Sequence, residues 1–228
     1  MKIIDKKTGK RLSKSDPIKR NVLKDIDSDG QSPMDPPEAL DESKNVKFDT
    51  DQIPEAIQIL LDEHKATLEL VNAFEEALKE YVESNYEMTD KINEAFSNFY
   101  SHIDKDLVVH NAKEEKALFP ILHKKLKETG EHSDEEIPRT AVNLMEDDHN
   151  QFVQLGTLSF NFFGLAPRLN DDKSRLFVLE TATRSARELV ELIKLHIYRE
   201  ENKLFPLAQQ LISADEFKAI RTEINEIA

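Results

Sequence analysis

The chain has 228 residues and no cysteine. That absence removes disulfides, thiolate metal sites, iron–sulfur ligation and cysteine nucleophiles together. It also fits a cytoplasmic protein. Long apolar runs are missing as well. None reaches the ~18 residues that a spanning helix needs, so no membrane association is expected. The N-terminus, Met1-Lys-Ile-Ile-Asp-Lys-Lys-Thr-Gly-Lys-Arg11, has no apolar stretch of the kind that marks a secretory signal. Positive charge is in short supply: 31 Lys and Arg stand against 45 Asp and Glu, a net charge of −14. Such a body repels phosphate backbones, so no nucleic-acid partner is expected. Strand-like alternation is absent too.

What is present is a helical period that starts near Thr50. Residues 1–48 show none of it. Four of the nine prolines lie there, and the charge is blocky. Residues 1–24 carry nine Lys and Arg against two Asp, and residues 25–50 carry eight acids against two Lys. A segment of this kind buries too little apolar surface to offset its ordering entropy. The expectation is a disordered tail over residues 1–48, with docking on a protein partner as the other reading, and a folded body over residues 49–228.

Within the body, Pro54 opens a first helix with Ile57, Leu60, His64, Leu68, Val71 and Leu78 on one face. A second helix is predicted over about 89–129 and ends at Gly130. A third spans about 139–163 and a fourth about 172–211. Ser213 and Glu216 form a capping-box pattern that starts a short fifth helix. Long amphipathic helices with short connections predict an all-α, up-down-up-down antiparallel four-helix bundle.

One block occurs twice. His110-Asn-Ala-Lys-Glu114-Glu115-Lys-Ala-Leu-Phe119-Pro120 returns as His196-Ile-Tyr-Arg-Glu200-Glu201-Asn-Lys-Leu-Phe205-Pro206, at a constant offset of 86 residues. A His and a Glu four apart share a helix face, about 6 Å apart along the axis. Together they suit iron, manganese or zinc. His64 and His149, each on an apolar face, repeat at an offset of 85. The candidate metal ligands are therefore His64, His110, Glu114, His149, His196 and Glu200. Two carboxylates of this set are able to bridge two metals, with the histidines as caps. Glu115 and Glu201 point about 100° away and read as supporting or surface groups. His102, His123 and His132 read as structural. Phe119-Pro120 and Phe205-Pro206 predict a kink in each helix, with the Phe packing below it.

The order His64, His110-x-x-x-Glu114-Glu-x-x-Leu-Phe-Pro, Met145-Glu-x-x-His149, His196-x-x-x-Glu200-Glu-x-x-Leu-Phe-Pro resembles the hemerythrin-like (HHE cation-binding) family over about residues 52–210. The resemblance implies two non-haem iron ions, bridged by carboxylate and by oxo or hydroxo groups. It implies that His64 and His110 cap one iron, that His149 and His196 cap the other, and that Glu114 and Glu200 bridge. It further implies a small ligand (O2, NO or H2O2) and roles in oxidative or nitrosative stress, iron homeostasis or oxygen storage. Enzymatic turnover of peroxide or NO and an iron-dependent regulatory module are alternatives. Oxygen carriers of the family have a further His four residues after the third motif's His, where Val153 stands here. The iron of the His149/His196 half is thus expected to be under-coordinated. Tyr86, after the first helix, is a further candidate ligand.

Overall fold

The computed structural model describes residues 48–49, 52–133 and 136–227. The expected tail lies outside the described residues, apart from Phe48. Among the described residues all regular structure is helical. The first rod is α1 (Glu55–Glu83). The second rod joins α2 (Asp90–His102), α3 (Val108–Lys113) and α4 (Phe119–Thr129) through two π-helical turns, Ile103–Leu107 and Glu114–Leu118. The third is α5 (Ala141–Leu165). The fourth joins α6 (Asp172–Arg199) to α7 (Phe205–Leu211) through a third π turn, Glu200–Leu204. The fifth is the short α8 (Ala214–Glu226).

Each rod starts and stops for a local reason. Thr89 caps α2 by accepting from the Ile92 N–H. Thr140 and Asn143 form a reciprocal capping box on α5, and the expected Ser213/Glu216 box opens α8. Gly130, at φ 84°, ends the second rod in the left-handed region that glycine adopts freely. The turn after α1 needs the same region twice without glycine, at Asn85 (φ 59°) and Tyr86 (φ 64°). Such residues cost roughly 1 kcal/mol each. The Tyr86 ring packs edge-on against Tyr81 at 5.3 Å.

The first two rods run antiparallel. His64 meets His110, Phe74 stacks on Phe99 with ring centroids 3.9 Å apart, and Tyr81 meets Phe96. The third and fourth pair in the same way, His149 against His196 and Gly156 against Leu189. The inward faces make two separate apolar clusters. One holds Ile57, Leu60, Leu122, Met145, Phe205 and Ile220. The other holds Val71, Phe74, Phe99, Phe152, Leu189 and Ile193. His64 lies on α1 between Leu60 and Val71, so a polar layer separates the two clusters. Helix α8 covers the first cluster with Phe217, Ile220 and Ile224, tied by Arg221 to Glu55 at 2.7 Å. Phe48 packs on the same cluster, and the Asp49 N–H donates to Gln209 at 2.9 Å.

No helix among the described residues is long and apolar enough to cross a membrane. Each proline-bearing block coincides with a π turn. Proline lacks an N–H and clashes with the carbonyl four residues back in an α-helix. The π turn that precedes each Phe-Pro widens the helix by one residue, and Pro120 and Pro206 fall in the first turn of the next α segment.

Packing of the second cluster is testable. Phe74→Ala removes a fully buried ring stacked on Phe99, and is expected to cost about 3–5 kcal/mol in urea unfolding. The metal-binding capacity of the folded fraction should not change, because Phe74 lies almost three turns beyond His64.

Candidate metal centre

The polar layer brings together all six residues that the repeat singles out. His64, His110, Glu114 and Glu200 form one group, and Glu114, His149, His196 and Glu200 form a second. Within each group one ligand atom per residue lies within 4.8 Å of every other. All six residues are buried, and both glutamates are wholly so. The two groups share their carboxylates. Glu114 places Oε1 3.6 Å from His110 Nε2 and Oε2 3.4 Å from His149 Nε2. Glu200 places Oε2 3.1 Å from His64 Nε2 and Oε1 3.2 Å from His196 Nε2. Each carboxylate therefore straddles both histidine pairs.

The chemistry of this layer is lopsided. His64 Nε2 faces His110 Nε2 at 3.2 Å, and His149 Nε2 faces His196 Nε2 at 3.1 Å. None of the four carboxylate oxygens has a properly aligned hydrogen-bond donor. Every Nδ1, by contrast, has a carboxylate of its own. His64 Nδ1 donates to Glu201 at 3.1 Å, and His149 Nδ1 to Glu115 at 2.8 Å. His110 Nδ1 donates to Glu63 at 2.8 Å, and His196 Nδ1 to Asp148 at 3.3 Å. Fixing the proton on Nδ1 leaves each Nε2 a lone pair aimed inward. Four nitrogen lone pairs and four carboxylate oxygens then face one another away from water. Such an arrangement is costly unless a cation occupies it. Bonds of about 2 Å to nitrogen and oxygen fit the spacing of both groups.

Protons are the only substitute for a metal here, and the ionisation of the ring shows it. Burial pulls the His64 imidazole down, but the Glu200 and Glu201 carboxylates outweigh it and lift its pKa from 6.5 to about 10. Burial likewise opposes protonation of His196, which Glu200 and Asp148 raise to about 9. His149 is raised against burial by Glu114 and Glu115. Burial pushes the Glu200 carboxyl up, yet His196 and His64 hold it well below its ordinary range.

The supports repeat like the ligands. Glu63 precedes His64 as Asp148 precedes His149, and each reaches across to the other histidine of its hairpin. A cation holds each of these two acids. Lys113 donates to Glu63, and Arg199 donates to Asp148 at 3.1 Å. These cations precede Glu114 and Glu200 at equivalent places. Phe205 stacks on the His64 ring at 5.5 Å, and Phe119 on the His149 ring at 5.8 Å. The Phe of each repeated block thus covers a histidine of the opposite hairpin. Sequence reasoning missed Glu63 and Asp148. The signal was an acid before each apolar-face histidine, at the same 85-residue offset.

Other expectations resolve plainly. His102 bonds Thr67 and Asp106, His123 bonds Thr140, and His132 bonds the Ser133 carbonyl. None of the three belongs to a candidate metal group. Tyr86 belongs to neither group and lies beyond Tyr81, some 25 Å along α1 from His64 at 1.5 Å per residue. Val153 is 53% exposed and lines a surface groove with Ile103, Val108 and Gly156. The residue that borders the His149 and His196 rings is Phe152. Each group has two histidines and the same two shared glutamates, and Val153 belongs to neither.

Residues 55–208 match the family model described as hemerythrin HHE cation binding domain. No curated protein and no solved structure matches the chain.

Two outcomes follow for the metal-free protein and for metal uptake. The raised histidines stabilise the metal-free fold fully below about pH 6.5, and that contribution is lost as pH rises through 9 to 10. The depressed Glu200 stabilises it above about 4.5, and its contribution is lost on further acidification. Thermal unfolding of chelator-treated protein should therefore be most resistant near pH 5–6.5. Metal uptake at pH 7–8 should release protons, seen as a dependence of calorimetric heat on buffer ionisation enthalpy.

Proposed function

The chain belongs to the hemerythrin HHE cation-binding domain family, and from that premise we propose that it is a non-haem di-iron protein that takes a small diatomic or peroxide ligand. In this reading the four long rods are an up-down-up-down four-helix bundle. His64 and His110 would hold one iron, His149 and His196 would hold the other, and Glu114 and Glu200 would be shared between them. The observation that carries the reading is the straddling carboxylate pair. Each glutamate offers one oxygen to each histidine pair, and all eight inward atoms are acceptors.

Nitrogen and oxygen donors without sulfur suit iron, manganese or zinc. Iron is proposed on the strength of the family and of four imidazoles with two bridging carboxylates. When bound, iron supplies open coordination positions and electrons for ligand binding and reduction. The chain's own residues do the rest. The two apolar clusters exclude water above and below the layer. Glu63, Glu115, Asp148 and Glu201 hold the imidazole rings in one tautomer and one orientation. Lys113 and Arg199 fix two of these acids in turn. Two histidines per group leave coordination positions free for O2, NO or H2O2. A cytoplasmic role in oxidative or nitrosative stress, or in iron homeostasis, accords with such a ligand. Iron-dependent regulation and oxygen storage are the competing uses of the same centre, and steady-state turnover of peroxide or NO separates them from an enzyme.

Protein grown with ample iron is expected to hold about two irons per chain and to show oxo-bridge charge-transfer bands in air. Glu114→Ala and Glu200→Ala should each abolish those bands. Glu63→Gln and Asp148→Asn should retain the irons but weaken their affinity about 10- to 100-fold, measured by competition with a chelator. At most one tightly bound metal, or stoichiometric zinc, would overturn the di-iron reading.

A further inference from the structure

The two sides of the centre differ in one wall. The 85-residue offset that relates His64 to His149 places Thr67 where the second half has Phe152. Phe152 is buried, with its ring 5.9 Å from that of His149 and edge-on to that of His196 at 4.9 Å. An apolar ring therefore closes the His149/His196 side. On the other side the chain has a buried threonine one turn beyond His64 on the same inward face of α1. Threonine is far smaller than phenylalanine and carries a hydroxyl.

That hydroxyl begins a continuous polar path. Thr67 Oγ1 lies 2.9 Å from His102 Nε2 and 2.9 Å from the Glu63 carbonyl oxygen. His102 Nδ1 lies 3.0 Å from Asp106 Oδ2. His102 is buried, whereas the Asp106 side chain is 69% exposed. The π turn Ile103–Leu107 begins right after His102 and contains Asp106. The matching stretch of α6 is regular α-helix with the fully buried Leu189. On the His149/His196 side Phe152 stands where Thr67 would begin such a path.

We propose that Asp106, His102 and Thr67 form a proton relay from solvent to a small ligand held on the His64/His110 side of the centre. The proposal rests on the di-iron reading above. The Thr67 hydroxyl donates to the Glu63 carbonyl, so Oγ1 accepts from His102 Nε2–H, while Nδ1 faces Asp106 Oδ2 on the solvent side of the ring. A proton from water binds the exposed Asp106 carboxylate and passes from it to His102 Nδ1. Transfer then breaks the His102 Nε2–H bond and forms one on Thr67 Oγ1, while the threonine gives its own proton to the ligand. Thr67 ends neutral, Asp106 is again a carboxylate, His102 keeps one proton, now on Nδ1, until tautomer exchange resets it, and no electron moves along the path. The groups bonded to His102 are Asp106 from its own rod and Thr67 from α1.

The test uses the full chain loaded with iron, with iron content measured on every sample. Azide, an anion that needs no proton, probes the ligand side through its optical band on the oxidised protein. Hydrogen peroxide probes proton supply, since its reduction to two waters takes up two electrons from the reduced centre and two protons. Thr67→Val, equal in shape but without the hydroxyl, should weaken azide binding about five- to tenfold, as loss of one hydrogen bond does. Thr67→Ser should restore it to within about twofold. Asp106→Asn should slow peroxide-driven oxidation about tenfold, as loss of a proton-transfer group does, and weaken azide less than twofold. Unchanged azide affinity in Thr67→Val would place the ligand elsewhere. Unchanged peroxide rates in Asp106→Asn and His102→Gln would overturn the relay with the di-iron reading intact. Wild-type protein without iron would overturn both.

Discussion

Everything in this molecule is arranged around a buried ring of acceptors that has no donors of its own. Four Nε2 atoms and four carboxylate oxygens converge from four rods, with none of the oxygens well hydrogen-bonded. Left to itself, such a layer would disrupt the core, since each buried unpaired polar group costs about 1–3 kcal/mol. In the di-iron reading proposed above, a pair of cations would turn the same layer into a cross-link between the four rods. The apolar clusters on either side bury it, and the low dielectric they create would strengthen any cation–carboxylate contact there. The outer acids serve it by setting tautomers, and Lys113 and Arg199 serve it by holding two of those acids in place.

Duplication makes this economical in sequence. One hairpin supplies a histidine, an acid before it, a His-x-x-x-Glu pair, a second acid and a Phe-Pro. The other hairpin supplies the same set 85 to 86 residues on. Neither half is complete alone. Each outer histidine is held by the second acid of the opposite hairpin, and each is covered by that hairpin's Phe. The π turns belong to this plan. One extra residue in the turn that starts at Glu114 lets Phe-Pro follow without a broken helix, while Glu114 stays inward and Glu115 reaches across.

Much of this was legible in the sequence, and the remainder was hidden for identifiable reasons. The rods and their ends follow from period, prolines, Gly130 and the Ser213/Glu216 box. The six inward residues follow from repetition, which no chance pattern would preserve. Glu63 and Asp148 escaped because adjacent helix residues point about 100° apart, so an acid beside a core histidine looks solvated. Its partner lies on another rod. Val153 misled because the spacing i+4 fits a helix face nearly as well as i+3, and only packing decides that Phe152 faces inward. The π turns left no periodic mark. The Thr67–His102 contact joins residues 35 apart and depends on one of those turns.

The central claim is that two cations sit in the acceptor ring, one per histidine pair. Anomalous diffraction at the iron edge, on crystals of protein grown with iron, tests it most directly. The account predicts two peaks, one about 2 Å from His64 and His110 Nε2 and one about 2 Å from His149 and His196 Nε2, with Glu114 and Glu200 spanning them. A single peak, or metal held only by surface carboxylates while the ring stays empty, would contradict it.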